Sequence, residues 1–190
     1  MHPPQSDLAT DMTRTALLEI DFQPWIIELG HDPGALARAG SVRDAQRAAG
    51  ALVVCTRYLS RDAADPLRSD PASDGARFHP SMTPLPGDLI ATKFDRDIWS
   101  NPDLDAQLRL VGVQHLMITG YLTDFGVRIA AERACSLGYR VTVHSAACAG
   151  SSEDEHQRAL ESIAAAGATL DGTPAKPATS RRGSTVRQCP

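Results

Sequence analysis

No stretch of the chain approaches the roughly 20 consecutive apolar residues of a membrane-spanning helix. Its polar start, Met1 to Met12, carries Pro3, Pro4, Asp7 and Asp11 and has no apolar signal core. Basic residues do not cluster; the one adjacent pair, Arg181-Arg182, lies near the C-terminus. With a net charge of -4, no general attraction to nucleic acid or to an anionic membrane is expected. The four cysteines, at 55, 135, 148 and 189, form no CxxC and share no His/Cys metal spacing. Cys55 sits in an apolar strand run and Cys135 in a helical one. Both read as reduced, buried thiols, which suits a cytoplasmic protein. There is no internal repeat.

What is present is an ordinary globular composition, 42% apolar and 22% charged, over 190 residues. That length suffices for one domain with a single core. Strand runs alternate with helical runs, which predicts an α/β fold: a doubly wound, mostly parallel sheet with helices on both faces, in three layers. Thr15 to Asp21, Ala51 to Arg57, Leu89 to Thr92, His115 to Thr119 and Arg140 to His144 read as strands. Ala35 to Ala49 reads as a helix stopped by Gly50. A second helix follows Asp103, with Leu104, Leu108 and Val111 on one face, and a third runs from Phe125 to Leu137. A capping box, Ser152-Glu153-Asp154-Glu155, opens the last, which buries Ala159, Leu160, Ile163 and Ala164. Residues 58 to 87 are polar and proline-rich. A connection that long in a compact domain is often functional. The domain is expected over 14-171, between a flexible N-terminus (1-13) and a disordered tail (172-190).

Asp21 closes one apolar strand, Lys93 directly follows another, and Gly126 follows a third after a short turn. Ligands of open parallel sheets bind outside the carboxyl ends of the strands, so topology alone brings these three together. The helix starting near Phe125 points its free N–H groups and positive dipole end at the same edge, which favours a carboxylate or a developing oxyanion. Arg57 ends the second strand at that edge and is the candidate for a substrate carboxylate, against a surface salt bridge. Arg77 and His79, in the long segment, are weaker candidates. Gln23 either positions a ligand or makes a structural hydrogen bond. Trp25, Phe94 and Trp99 either line a pocket or pack elsewhere. His156 reads as structural and Cys148 as an unreactive loop cysteine. Asp21-Phe22-Gln23 lacks accompanying histidines, so no metal is implied.

Three segments resemble the isochorismatase-like hydrolases, the superfamily that includes nicotinamidases and other cysteine amidohydrolases. They are Ala16-Leu17-Leu18-Glu19-Ile20-Asp21-Phe22-Gln23; Thr92-Lys93-Phe94 with Trp99-Ser100-Asn101 and Leu104; and Gly120-Tyr121-Leu122-Thr123-Asp124-Phe125-Gly126-Val127. The resemblance runs from about Thr15 to Leu170. It implies that Asp21 and Lys93 are the family's acid/base and lysine. It also implies that the turn at Leu122 and Gly126 forms an oxyanion hole, preceded by a cis bond between Tyr121 and Leu122. Gly126 occupies the place of the usual nucleophilic cysteine, and Ser145-Ala146 departs from the family's Asp-Ala pair.

The true isochorismatases also carry glycine at that place. Their substrate is a vinyl ether, whose hydrolysis needs no protein nucleophile: the enol carbon is protonated and water attacks the oxocarbenium ion. The resemblance thus implies a cofactor-independent hydrolase of a small anionic molecule, Asp21 acting as general acid. A homodimer or larger homo-oligomer is implied as well. Two other readings stand beside it: a non-catalytic homologue that binds a ligand or partner, and an amidohydrolase that uses water directly with Asp21 as base.

Overall fold

The computed structural model describes residues 15–171. The expected flexible N-terminus and disordered tail, with Cys189, lie outside the described residues. Six parallel strands run in the order β3-β2-β1-β4-β5-β6: β1 Thr15–Ile20, β2 Leu52–Tyr58, β3 Leu89–Lys93, β4 His115–Tyr121, β5 Arg140–Ala149 and β6 Thr169–Asp171. Four helices of two turns or more connect them: α1 Ala35–Ala48, α2 Leu104–Leu110, α3 Arg128–Ser136 and α4 Glu153–Ala165. The strand order reverses between β1 and β4, and such a switch point leaves a crevice at the carboxyl ends of the strands.

Two cores hold the layers together. Leu18, Ile20, Leu116, Ile118 and Val143 project to one face of the sheet and meet Leu104 and Leu108 of α2, Ala130 and Ala134 of α3, and Leu160 and Ile163 of α4. On the other face Phe22, Tyr121, Ala147 and Ala149 pack with Ala35 and Ala39 of α1. Small residues line α1 and α3, so both helices approach the sheet closely. On the α1 face Glu19 of β1 and Arg43 of α1 form a buried ion pair, Oε1 to Nε at 2.7 Å. Arg43 also donates to the carbonyls of Met82 and Thr83, tying the proline-rich segment to the sheet.

Several boundaries differ from the sequence reading. β5 runs on to Ala149 because its pairing with β4 slips: Ile118 faces Val143, but Gly120 faces Cys148. The extra residues form a bulge, after which the strand pairs again. β6 was not expected; three residues with a single partly buried side chain carry little pattern. Val111 is exposed, since α2 ends one residue before it, and Ala164 lies beside the buried stripe of α4, not in it. The segment 123–127 is a wide, π-type turn that becomes α3 only at Arg128. The capping box forms as expected, Ser152 Oγ accepting from the Glu155 N–H at 3.2 Å.

Candidate active site

Asp21 is the first residue past β1, and its backbone is left-handed, with φ at 58°. Such a conformation is uncommon outside glycine, although Asp tolerates it better than most residues, and it collects at functional sites. The turn swings the carboxylate back under the strand ends. Its Oδ2 meets the Lys93 Nζ at 2.7 Å, with the lysine side chain only 2% exposed and the aspartate 8%. Thr56 of β2 donates its hydroxyl to Oδ1 and accepts from the Asp21 amide, each at 3.2 Å. Lys93 also donates to the Arg96 carbonyl at 3.3 Å. Burial raises the Asp21 carboxyl above its ordinary range, against the Lys93 ammonium and the Thr56 hydroxyl, which lower it. The carboxyl is therefore more easily protonated than a free one, yet has a cation ready beside it when ionised.

Gly126 closes the triangle. A Cβ built on it would lie 3.0 Å from the Lys93 Nζ, 3.2 Å from Ile20 Cγ2 and 3.3 Å from Asp21 Oδ2. The turn thus presents bare backbone to the ion pair. Its approach depends on Gly120, whose φ is +146° and where a Cβ would come within 2.4 Å of the Ile20 carbonyl oxygen. The expected cis bond between Tyr121 and Leu122 is absent; the bond is trans. The chain reverses instead through the wide turn, in which the Phe125 and Val127 amides both donate to the Leu122 carbonyl at 3.0 and 3.3 Å. Thr123 and His156 share a buried 2.8 Å hydrogen bond that anchors this turn to α4, in keeping with a structural His156.

These groups open onto a cavity of about 490 Å³, within the range of small-molecule sites. Asp21, Lys93, Leu122 and Gly126 line it, and Trp25, Tyr58 and Phe125 supply aromatic walls. Residues 15–173 match the isochorismatase domain. The chain belongs to the isochorismatase-like hydrolase family.

The uncharacterized isochorismatase family protein YwoC of Bacillus subtilis (strain 168) is 29% identical over 167 residues, covering 82% of this chain and 88% of that protein. An isochorismatase family protein from Burkholderia thailandensis superposes with a TM-score of 0.74 at 25% identity, over 83% of this chain and 90% of that one. Pyrazinamidase of Pyrococcus horikoshii, solved in complex with zinc, has a TM-score of 0.72 at 24% identity, over 83% and 98% of the two chains; that likeness is one of fold. Among the described residues of this family member, no three His, Cys, Asp or Glu side chains are placed to hold a metal, and Asp21 spends its oxygens on Lys93 and Thr56.

Other residues singled out in the sequence lie elsewhere. Arg57 points to the opposite face of β2 from Thr56, where its Nε donates to Thr92 Oγ1 at 3.2 Å beside Arg77 and Phe78. Strand alternation separates the two neighbours: Thr56 and Tyr58 face the site, and Arg57 cannot. Trp99 is core, donating to the Ala130 carbonyl at 2.9 Å and stacking on Tyr139. Gln23, fully buried, is structural: its amide bonds Tyr58 and the Gly75 carbonyl, and Trp25 donates to that same carbonyl at 2.8 Å. Gln23 and Trp25 thereby pin the proline-rich segment against the site. Phe94 is 40% exposed under Arg61, outside the cavity. Cys148 is buried in β5, and burial pushes its thiol up to about 12. Sequence reasoning overlooked Thr56, Arg68 and Arg96. The period-2 pattern of β2 held the signal for Thr56; Arg68 sits in a single helical turn, Pro66–Ser69, and Arg96 in an irregular loop, both too short to carry a pattern.

Proposed function

We propose that the protein is a cofactor-independent hydrolase of a small anionic molecule, and that the reaction is vinyl-ether hydrolysis of the isochorismate type. The observation that carries this reading is Gly126. It presents bare backbone directly against an intact Asp21–Lys93 pair, at the place that the sequence resemblance gives to the nucleophilic cysteine. A site that keeps its acid and its cation without a nucleophile fits chemistry that begins with proton transfer.

Asp21, protonated, gives its proton to the enol carbon of the substrate, leaving an oxocarbenium ion. The carboxylate formed is held at once by Lys93 and Thr56. Water adds to the cationic carbon and gives one proton back to Asp21; the hemiketal then collapses, its hydroxyl becoming the keto oxygen and its remaining proton passing to the departing oxygen as the carbon–oxygen bond breaks. The turn from Leu122 to Gly126 lies against the reacting group, where its amides favour negative charge on the departing oxygen. Burial supports the first step, since it raises the carboxyl toward the pH at which both of its forms are available.

The test is turnover of isochorismate, followed by release of the three-carbon keto acid. Asp21→Asn should slow it by about 100-fold or more, the usual scale for a general acid. Unchanged turnover in that variant would end the proposal. If neither protein turned over isochorismate or any member of an amide panel, yet both bound the same ligand equally well, a binding domain would replace the enzyme; Asp21-dependent amide cleavage would instead indicate direct water attack. A homo-oligomer in the cytoplasm belongs to the same reading. Exposed apolar side chains such as Ile90 on the edge strand and Leu110 are available for assembly, and a monomer in sedimentation would remove that part.

A further inference from the structure

We propose that Arg96 is the specificity-determining residue of this site, selecting a ring-bearing carboxylate as substrate; the inference rests on the hydrolase reading above. Three cations line the cavity: Lys93, Arg68 and Arg96. Two of them are committed. Lys93 is held by Asp21 at 2.7 Å, and Arg68 by Asp65 at 2.6 Å. The other lining carboxylate, Asp95, turns back into its own loop, where Oδ1 accepts from the Asp97 amide at 2.8 Å and the Ser100 hydroxyl at 3.1 Å. Arg96 alone of the three has no carboxylate partner among the described residues. Its guanidinium lies over the Phe125 ring, 4.4 Å from the centroid.

That arrangement leaves an anion-binding group in place and unspent. Stacking on Phe125 engages the face of the guanidinium and leaves its edge, with its fork of N–H donors, unoccupied. A carboxylate is the group that matches such a fork with two parallel hydrogen bonds. The position is held from behind, because the Arg96 carbonyl accepts from the Lys93 ammonium. Arg96 and Asp21 line the same cavity of about 490 Å³. Between them the walls are apolar and aromatic, with Trp25, Ile26, Tyr58 and Phe125 on the lining. A molecule that fills this space has an unsaturated ring or a comparable flat body, a carboxylate at Arg96 and its reacting carbon at Asp21. Arg57, which the sequence pointed to for this task, faces the other side of its strand.

The experiment is calorimetric binding of benzoate and of acetophenone, which share a flat body but differ in charge and cannot be hydrolysed. The intact protein should prefer benzoate. Arg96→Ala should weaken benzoate by about tenfold, the loss of one charge-assisted pair, and leave acetophenone within about twofold. Arg96→Lys should recover part of the preference, since it keeps the charge and loses the fork. Arg68→Ala should change the ratio less, its cation being already paired. Arg96 is exposed, so these variants should fold, and circular dichroism checks it. The inference is overturned if the intact protein binds both probes equally or binds neither, if Arg96→Ala leaves the ratio unchanged, or if Arg68→Ala has the larger effect. Because the readout is binding, it separates from the hydrolase reading. Isochorismate turnover indifferent to Asp21→Asn, with selection still lost in Arg96→Ala, sinks the hydrolase alone; Asp21-dependent turnover with selection unmoved sinks this inference alone.

Discussion

The Asp21–Lys93 pair allows a sharp thermodynamic test. Both side chains are buried, 8% and 2% exposed, and their charged atoms are 2.7 Å apart. Removing one partner of such a pair strands the other and typically costs about 3–5 kcal/mol. Asp21→Asn keeps the shape and the Thr56 bonds but leaves the Lys93 ammonium only the Arg96 carbonyl. We expect it to lose about 3 kcal/mol at neutral pH. Lys93→Met keeps the aliphatic packing and should lose somewhat less, because the stranded Asp21 can escape by taking up a proton. The double variant buries two neutral groups and should lose clearly less than the sum, with a coupling of about 2 kcal/mol. Urea unfolding at constant m reads these differences.

The pH dependence gives a second handle. Burial already raises Asp21 above its ordinary 3.8, and Lys93→Met removes the strongest opposing influence. For a carboxyl whose pKa is raised by folding, the folded state binds the extra proton. Its contribution is complete below the unfolded pKa and is lost as pH rises through the folded one. The Lys93→Met deficit should therefore be small in acid and deepen toward neutral pH. Additive single variants, or a deficit largest in acid, would refute the reasoning.

Turnover should fall as pH rises through the raised Asp21 pKa, since the acid form gives the proton; a rate that climbs over that range would speak for Asp21 as a base. Gly126→Cys introduces a Cβ 3.0 Å from the Lys93 Nζ, so it should slow the native reaction while allowing a thioester to be trapped from an activated ester by mass spectrometry; native turnover at full rate would show that the space is not used. Arg57→Ala and Trp99→Phe should leave KM for an anionic substrate unchanged, the latter losing about 1 kcal/mol of stability with its bond to Ala130. With burial holding its thiol up at about 12, Cys148 should resist alkylation in the native protein at pH 8 and react at once in urea; rapid native labelling that abolishes activity would contradict its place in the core.

The parallel sheet was legible because apolar strand runs alternate with helical ones: β1, β3, β4 and β5 are each followed by a helix, and β2 is followed by the long proline-rich segment instead. The end residues of those runs, Asp21 and Lys93, and the turn glycine Gly126 were legible for the same reason: one topological rule places all three at one edge. Where side chains faced was harder. Arg57 and Thr56 are neighbours in the chain and equally close to the strand end, and only the pleat decides that threonine holds Asp21 while arginine faces away. For Trp99 the sequence left pocket lining and packing open, and packing holds: its indole bonds Ala130 and stacks on Tyr139.

Periodicity and strand termini are local properties, so the class of fold, the family and the three residues that meet at the candidate site could be read along the chain. Other features exist only once distant segments pack: the left-handed backbone at Asp21, the trans bond before Leu122, and the buried pairing of Glu19 with Arg43. Packing also sets the partners of the cations that line the cavity. Arg68 is held by Asp65, and Arg96 lies over the Phe125 ring with no carboxylate partner among the described residues. These are facts about partners that lie across a turn or far along the chain. A charge in a sequence carries only its sign, and what it can bind depends on what already neutralises it and how much water remains around it.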